Sequence, residues 1–142
     1  MKKFLFVAML FMCGMGAIAS AQMTTTITVK NSTAYTMNFS LHGSTLSKSI
    51  EGTASPTPAN VAIQAGSSFV FVVTSPYPDI AAAHFYFENT GVYEGCKFDT
   101  SYTTLGSWTS GAASSGLTSI SCSAKLTVNS FTTHDYSVLF TL

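Results

Sequence analysis

The chain has 142 residues, with six basic and six acidic side chains and a formal charge of zero. Only 8% of the residues are charged, and all six basic ones are lysine. Nucleic-acid and phosphate binders need clustered Lys and Arg to displace counterions, and bidentate recognition needs Arg in particular, so this composition argues against a nucleic-acid partner.

Met1-Lys2-Lys3, an apolar run from Phe4 to Ile18 and Ala19-Ser20-Ala21 follow the three-part layout of a secretory signal peptide. The apolar run is short for a membrane span. The expected products are a leader over residues 1–21 and a single domain over 22–142, secreted or periplasmic. The Met-Lys-Lys start has a bacterial look. Cys13 is lost with the leader, and Leu10-Phe11-Met12 lack the small residues that precede a lipid-modified cysteine. Past residue 21, four lysines face six acids, a formal charge of −2.

Two cysteines then remain, Cys96 and Cys122. An even count in an oxidising compartment reads as one disulfide, closing a loop of roughly 27 residues worth about 3–4 kcal/mol by the chain-entropy model. Neither a CxxC spacing nor a nearby histidine pair points to thiol or metal chemistry instead. About a third of the residues past the leader are Ser or Thr, which suits strands with polar outer faces better than helices. Plentiful aromatic and β-branched residues argue against disorder.

In chain order, Thr24 to Lys30 alternates with Ile27 and Val29 on one face, and Asn31-Ser32-Thr33 turns the chain. The next strand places Tyr35, Met37, Phe39 and Leu41 together. Residues 42–59 read as a long Gly/Ser/Pro loop with a short turn around Lys48. Val61 to Ala65 and Phe69 to Thr74 are two strands hinged at Gly66-Ser67, the second apolar on both faces and so expected at a sheet centre. Pro76-Tyr77-Pro78-Asp79 is a rigid turn. Ala82 to Glu88 and Val92 to Tyr102 form a hairpin over Asn89-Thr90-Gly91, with Cys96, Phe98, Thr100 and Tyr102 on one face. Residues 103–116 read as a flexible polar stretch broken by Leu105 and Trp108. Leu117 to Val128 is expected to alternate as one long strand, bringing Ile120, Cys122, Ala124, Leu126 and Val128 together. A final strand lines Tyr136, Val138, Phe140 and Leu142 along its inner face. The expected fold is all-β: a single-domain antiparallel β-sandwich of about eight strands with one disulfide and no convincing helix.

No pattern names a reaction or a cofactor. His42, His84 and His134 are not spaced as metal ligands. His84, Tyr86 and Glu88 share a strand face, so a His–Glu pair fits there, on what reads as the solvent side of the hairpin. His134 and Asp135 are adjacent and point to opposite faces. The nucleophile elbow GxSxG is absent, and GAASSG at 111–116 lacks the Lys-Ser/Thr of a phosphate loop. Paired carboxylates for glycoside hydrolysis are defined by separation in space, and the six acids fall mostly in turns or on polar faces. The candidate ligand contacts are aromatic: Trp108 in a Ser/Gly loop and Tyr77 between two prolines, at one end of the sandwich. Asn31 and Asn38 begin glycosylation sequons. The C-terminal alternation resembles the last strand of outer-membrane barrels, but Leu142 replaces the usual Phe and the strands are short for a barrel.

Ile27, Val29 and Asn31 with a following Ser, then His84-Phe85-Tyr86-Phe87 upstream of a cysteine-bearing segment, resemble aegerolysins. The resemblance covers about a tenth of the chain and implies a small β-sandwich that binds membrane lipids. The tryptophan-rich middle of that family is missing, so none of its lipid-binding residues carries over.

The expected function is therefore that of an exported, non-catalytic binding or interaction module. Its ligand would be a carbohydrate, lipid or protein, met through end loops bearing Trp108 and Tyr77. A membrane-active or pore-forming β protein is the alternative, with membrane contact part of it, and a small secreted hydrolase is third.

Overall fold

A computed structural model describes residues 22–76, 80–103, 109–130 and 133–142. Its first sheet contains β1 (Met23–Lys30), β3 (Thr53–Ser55), β5 (Ser68–Ser75), β9 (Ser123–Ser130) and β10 (Asp135–Thr141), in the order β3-β5-β1-β10-β9. The second contains β2 (Met37–Ser40), β4 (Ala62–Ile63), β6 (Ile80–Asn89), β7 (Glu94–Thr103) and β8 (Thr109–Ser114), in the order β4-β2-β6-β7-β8. All neighbours are antiparallel except β1 and β10, which run parallel at the middle of the first sheet. One short helix, α1 (Leu46–Ser49), covers the turn expected around Lys48.

The two sheets face each other across an apolar core whose members alternate along the strands, as the period of two requires. On β1, Met23, Ile27 and Val29 are fully buried while Thr24, Thr26 and Thr28 form the outer row. On β10, Tyr136, Val138 and Phe140 point inward, with Leu142 buried just beyond. Phe85 of β6 is the hub. Its ring packs at 5.7 Å from Phe71 and Phe140 of the first sheet, and at 5.7 Å from Phe98 of its own. Edge-to-face pairs of this kind contribute beyond their buried area, about 0.5–1.5 kcal/mol each.

Cys96 and Cys122 form the expected disulfide, with Cα atoms 5.9 Å apart. Cys96 is fully buried on β7, while Cys122 packs against the core just before β9. The bond thus joins the second sheet to the approach of the first.

Four expectations need correction. The stretch 42–59 is not simply a loop: β3 adds to the free side of β5, and Ile50, 1% exposed, forms a bridge with Ala83. Residues 109–114 form edge strand β8, although Thr-Ser-Gly-Ala-Ala-Ser carries no strand-like apolar alternation. The expected long strand begins only at Ser123, and Leu117 is 87% exposed. A β-bulge also shifts the β9–β10 register between Ser137 and Val138, so Val128 pairs with outward-facing Ser137 and leaves the Leu126 face. As expected, β5 is an interior strand, flanked by β3 and β1. β1 holds the middle of the sheet despite its outer row of threonines, and Val70 on the outer face of β5 is exposed.

Asn31 secures the corner after β1. Its side chain is fully buried, and its amide nitrogen donates to the carbonyls of Tyr35 (2.7 Å) and Ile63 (2.8 Å). Its amide oxygen accepts from the Thr33 backbone N–H (3.0 Å) and hydroxyl (2.7 Å). The sequon at Asn31 is therefore consumed by the fold. Asn31→Ala removes four hydrogen bonds at once, although the Thr33 hydroxyl keeps its bond to the Tyr35 carbonyl (3.2 Å), and we expect a loss of about 2–4 kcal/mol in urea unfolding at an unchanged m-value. A loss under about 0.5 kcal/mol would contradict the role given to this side chain.

Candidate functional site

The outer face of the second sheet carries the densest polar chemistry in the described structure. Ala83, Phe85 and Phe87 of β6 point into the core, so His84, Tyr86 and Glu88 point out. The turn at 90–93 sets the register of β7 against them. Asn89 caps that turn, its side-chain oxygen accepting from the backbone N–H of Gly91 (2.8 Å) and Val92 (3.2 Å). In this register Asp99 lies directly across from His84, and Lys97 across from Tyr86.

His84 Nδ1 hydrogen-bonds to Asp99 Oδ1, and Lys97 Nζ lies 3.4 Å from Asp99 Oδ2. With Asp99 accepting from Nδ1–H, the Nε2 of a neutral imidazole is left to accept from the Tyr86 hydroxyl, 3.2 Å away. His42 follows β2 in a left-handed conformation (φ 47°) that brings its ring over the same face. It stacks on Tyr86 with centroids 3.9 Å apart and planes 9° from parallel. Its Nε2 also lies 2.7 Å from Glu88 Oε2.

The His–Glu pairing expected along β6 is thus replaced by two others. Residues four apart on a strand are separated by about 13 Å, whereas directly opposed residues on neighbouring strands are about 5 Å apart. His84 therefore meets Asp99 across the ladder, and Glu88 meets His42 arriving from β2. Among the described residues, no group of three His, Cys, Asp or Glu side chains is arranged to hold a metal ion.

A cleft of about 450 Å³ opens beside this cluster. The segment carrying α1 overhangs the second sheet because Ile50 bridges Ala83 and the Glu51 N–H donates to the Ala82 carbonyl at 2.8 Å. One wall therefore presents Ser47, Lys48 and Glu51, while the other presents His84, Asp99 and Ser101. Four ionisable residues line it: Lys48, Glu51, His84 and Asp99.

The two faces of the molecule differ sharply. Of the ten charged residues past position 21, Lys48, Glu51, Glu88, Lys97 and Asp99 gather here. The outer face of the first sheet is built mainly from Thr, Ser and Val, with Lys30, Lys125 and Asp135 spaced among them. Of the candidate contacts read from sequence, Trp108 and Tyr77 lie outside the described residues. The cluster around His84 was foreshadowed only by the shared face of His84, Tyr86 and Glu88; Asp99, Lys97 and His42 carried no local signal. No protein-family model matches the chain, and no curated protein sequence matches it.

The side chains of His84 and Asp99 are 43% and 47% exposed, so water screens their attraction. The pair orients the imidazole more than it stabilises the fold. A double-mutant cycle of His84→Ala and Asp99→Asn should give a coupling energy below about 1 kcal/mol in chemical unfolding. A coupling above about 2 kcal/mol would make the pair structural.

Proposed function

We propose that this chain is an exported, non-catalytic binding module whose ligand is a carbohydrate held on the outer face of its second sheet. The observation that carries this reading is an open cleft lined by Lys48, Glu51, His84 and Asp99, on a sheet face that continues through Lys97 and Tyr86 to His42 and Glu88. Sugars are recognised by donors and acceptors aimed at vicinal hydroxyls together with a ring against which their C–H faces pack. Carboxylates, imidazoles, a lysine and serines supply the first, and the stacked His42–Tyr86 pair supplies the second. Export rests on the basic start, the apolar run and Ala19-Ser20-Ala21. The Cys96–Cys122 bond accords with an oxidising compartment.

The outer face of the first sheet supports membrane association as the alternative, since it exposes Val70 (48%) and Val128 (46%) among its threonines and serines, with Lys30, Lys125 and Asp135 as its charged residues. A glycan array followed by calorimetric titration separates the two. Asp99→Asn and Tyr86→Ala should each weaken binding of an array-identified glycan by at least about tenfold, or 1.4 kcal/mol, without lowering the melting temperature appreciably. Full retention of affinity in both variants would remove this face as the site. Sedimentation with neutral liposomes and no glycan hit would favour the membrane reading.

A further inference from the structure

The internal hydrogen bonds of the polar face leave it rich in acceptors and short of donors. His84 spends its Nδ1–H on Asp99, and the Tyr86 hydroxyl spends its proton on His84 Nε2. His42 likewise spends its Nε2–H on Glu88. A carboxylate offers about four lone-pair sites. Asp99 commits two of them, to His84 and the Lys97 ammonium, and Glu88 commits one. The remaining lone pairs of both carboxylates, of the Tyr86 oxygen and of His42 Nδ1 all wait for donors. The two carboxylates also outnumber Lys97, while Lys48 and Glu51 balance each other across the cleft.

Asp99 is also open on the side away from His84. The β7–β8 register sets Gly111 directly across from it, with Thr109 and Ala113 two residues to either side on the same face. A Cβ at Gly111 would meet nothing within 4 Å, and the Asp99 side chain is 47% exposed. The carboxylate therefore stands at the rim of a shelf floored by small residues, where a sugar ring has room to lie.

We propose that the carbohydrate bound on this face is an amino sugar, held through its ammonium group against Asp99. The inference rests on the carbohydrate reading and narrows it. An ammonium carries three donors and no acceptor, so each of its bonds falls on a group that the face leaves unanswered. Its bond to a carboxylate is charge-assisted and about twice as strong as a neutral one. A sugar hydroxyl reaches the same acceptors without that assistance. An N-acetyl group offers a single donor and adds a carbonyl, for which this face has few donors left. Lys97 already shows an ammonium settling against Asp99, with Nζ 3.4 Å from Oδ2, and so competes with the ligand for that carboxylate.

Calorimetric titration with three β-linked tetrasaccharides, of glucosamine, N-acetylglucosamine and glucose, tests it at physiological salt, where long-range attraction is screened. The glucosamine tetramer should bind at least about tenfold more tightly than either of the others. Asp99→Asn should abolish that preference at an unchanged melting temperature. Lys97→Met should tighten glucosamine binding by about threefold or more, because it frees Asp99. Equal or tighter binding of the glucose or N-acetylglucosamine tetramer overturns the amino-sugar assignment and leaves the carbohydrate reading standing. Binding by none of the three, with a different glycan found on the array, has the same consequence. Spermine, a polyamine without a sugar ring, binding as tightly as the glucosamine tetramer would reduce the attraction to charge alone and also overturn the assignment. Absence of binding to any glycan removes both readings.

Discussion

The two-residue alternation of β6 ties the inter-sheet core to the polar face. Phe85 packs inward against Phe71 and Phe140 of the opposite sheet, and Phe87 follows it into the core. The intervening His84 and Tyr86 are thereby committed to the outer surface. A one-residue slip would turn the histidine and tyrosine inward and the phenylalanines out, which the burial of those large rings forbids. The same aromatic packing that joins the sheets therefore fixes the direction of the polar groups.

Neighbouring elements convert that direction into a site. Asn89 holds the turn that brings Asp99 opposite His84, and the left-handed His42 closes over Tyr86. Ile50 pins the α1 segment to β6, which raises the second wall of the cleft. On the far side of β7, the disulfide and the bonds from Ser115 and Thr118 to the Gly95 and Tyr93 carbonyls hold the approach to β9 against the sheet edge. Backbone paired into the sheet under the cleft lowers the ordering cost that a free loop would pay on binding a ligand.

The inner rows of β1, β6, β7 and β10 were legible in the sequence because their apolar residues alternate against Thr, Ser or charged positions. The cysteine pairing was legible because only two cysteines lie past residue 21. β3 and β8 left little trace, because each is an edge strand made of small residues and paired on one side. Val128 defeated the alternation through a bulge, a feature of pairing rather than of local composition. The polar cluster was half legible. His84, Tyr86 and Glu88 shared a face by periodicity, but Asp99 depends on hairpin register, and His42 reaches Glu88 across 46 residues.

The central claim is that ligand recognition belongs to the outer face of the second sheet, with β6 as its base. Backbone amide shift mapping during titration with an array-identified glycan tests it most directly. The account predicts perturbations concentrated at residues 84–88, 97–101 and 47–51, with the outer row of β1 unmoved. Perturbations confined to Thr24, Thr26 and Thr28 and the strands beside them, with residues 84–88 silent, would contradict it.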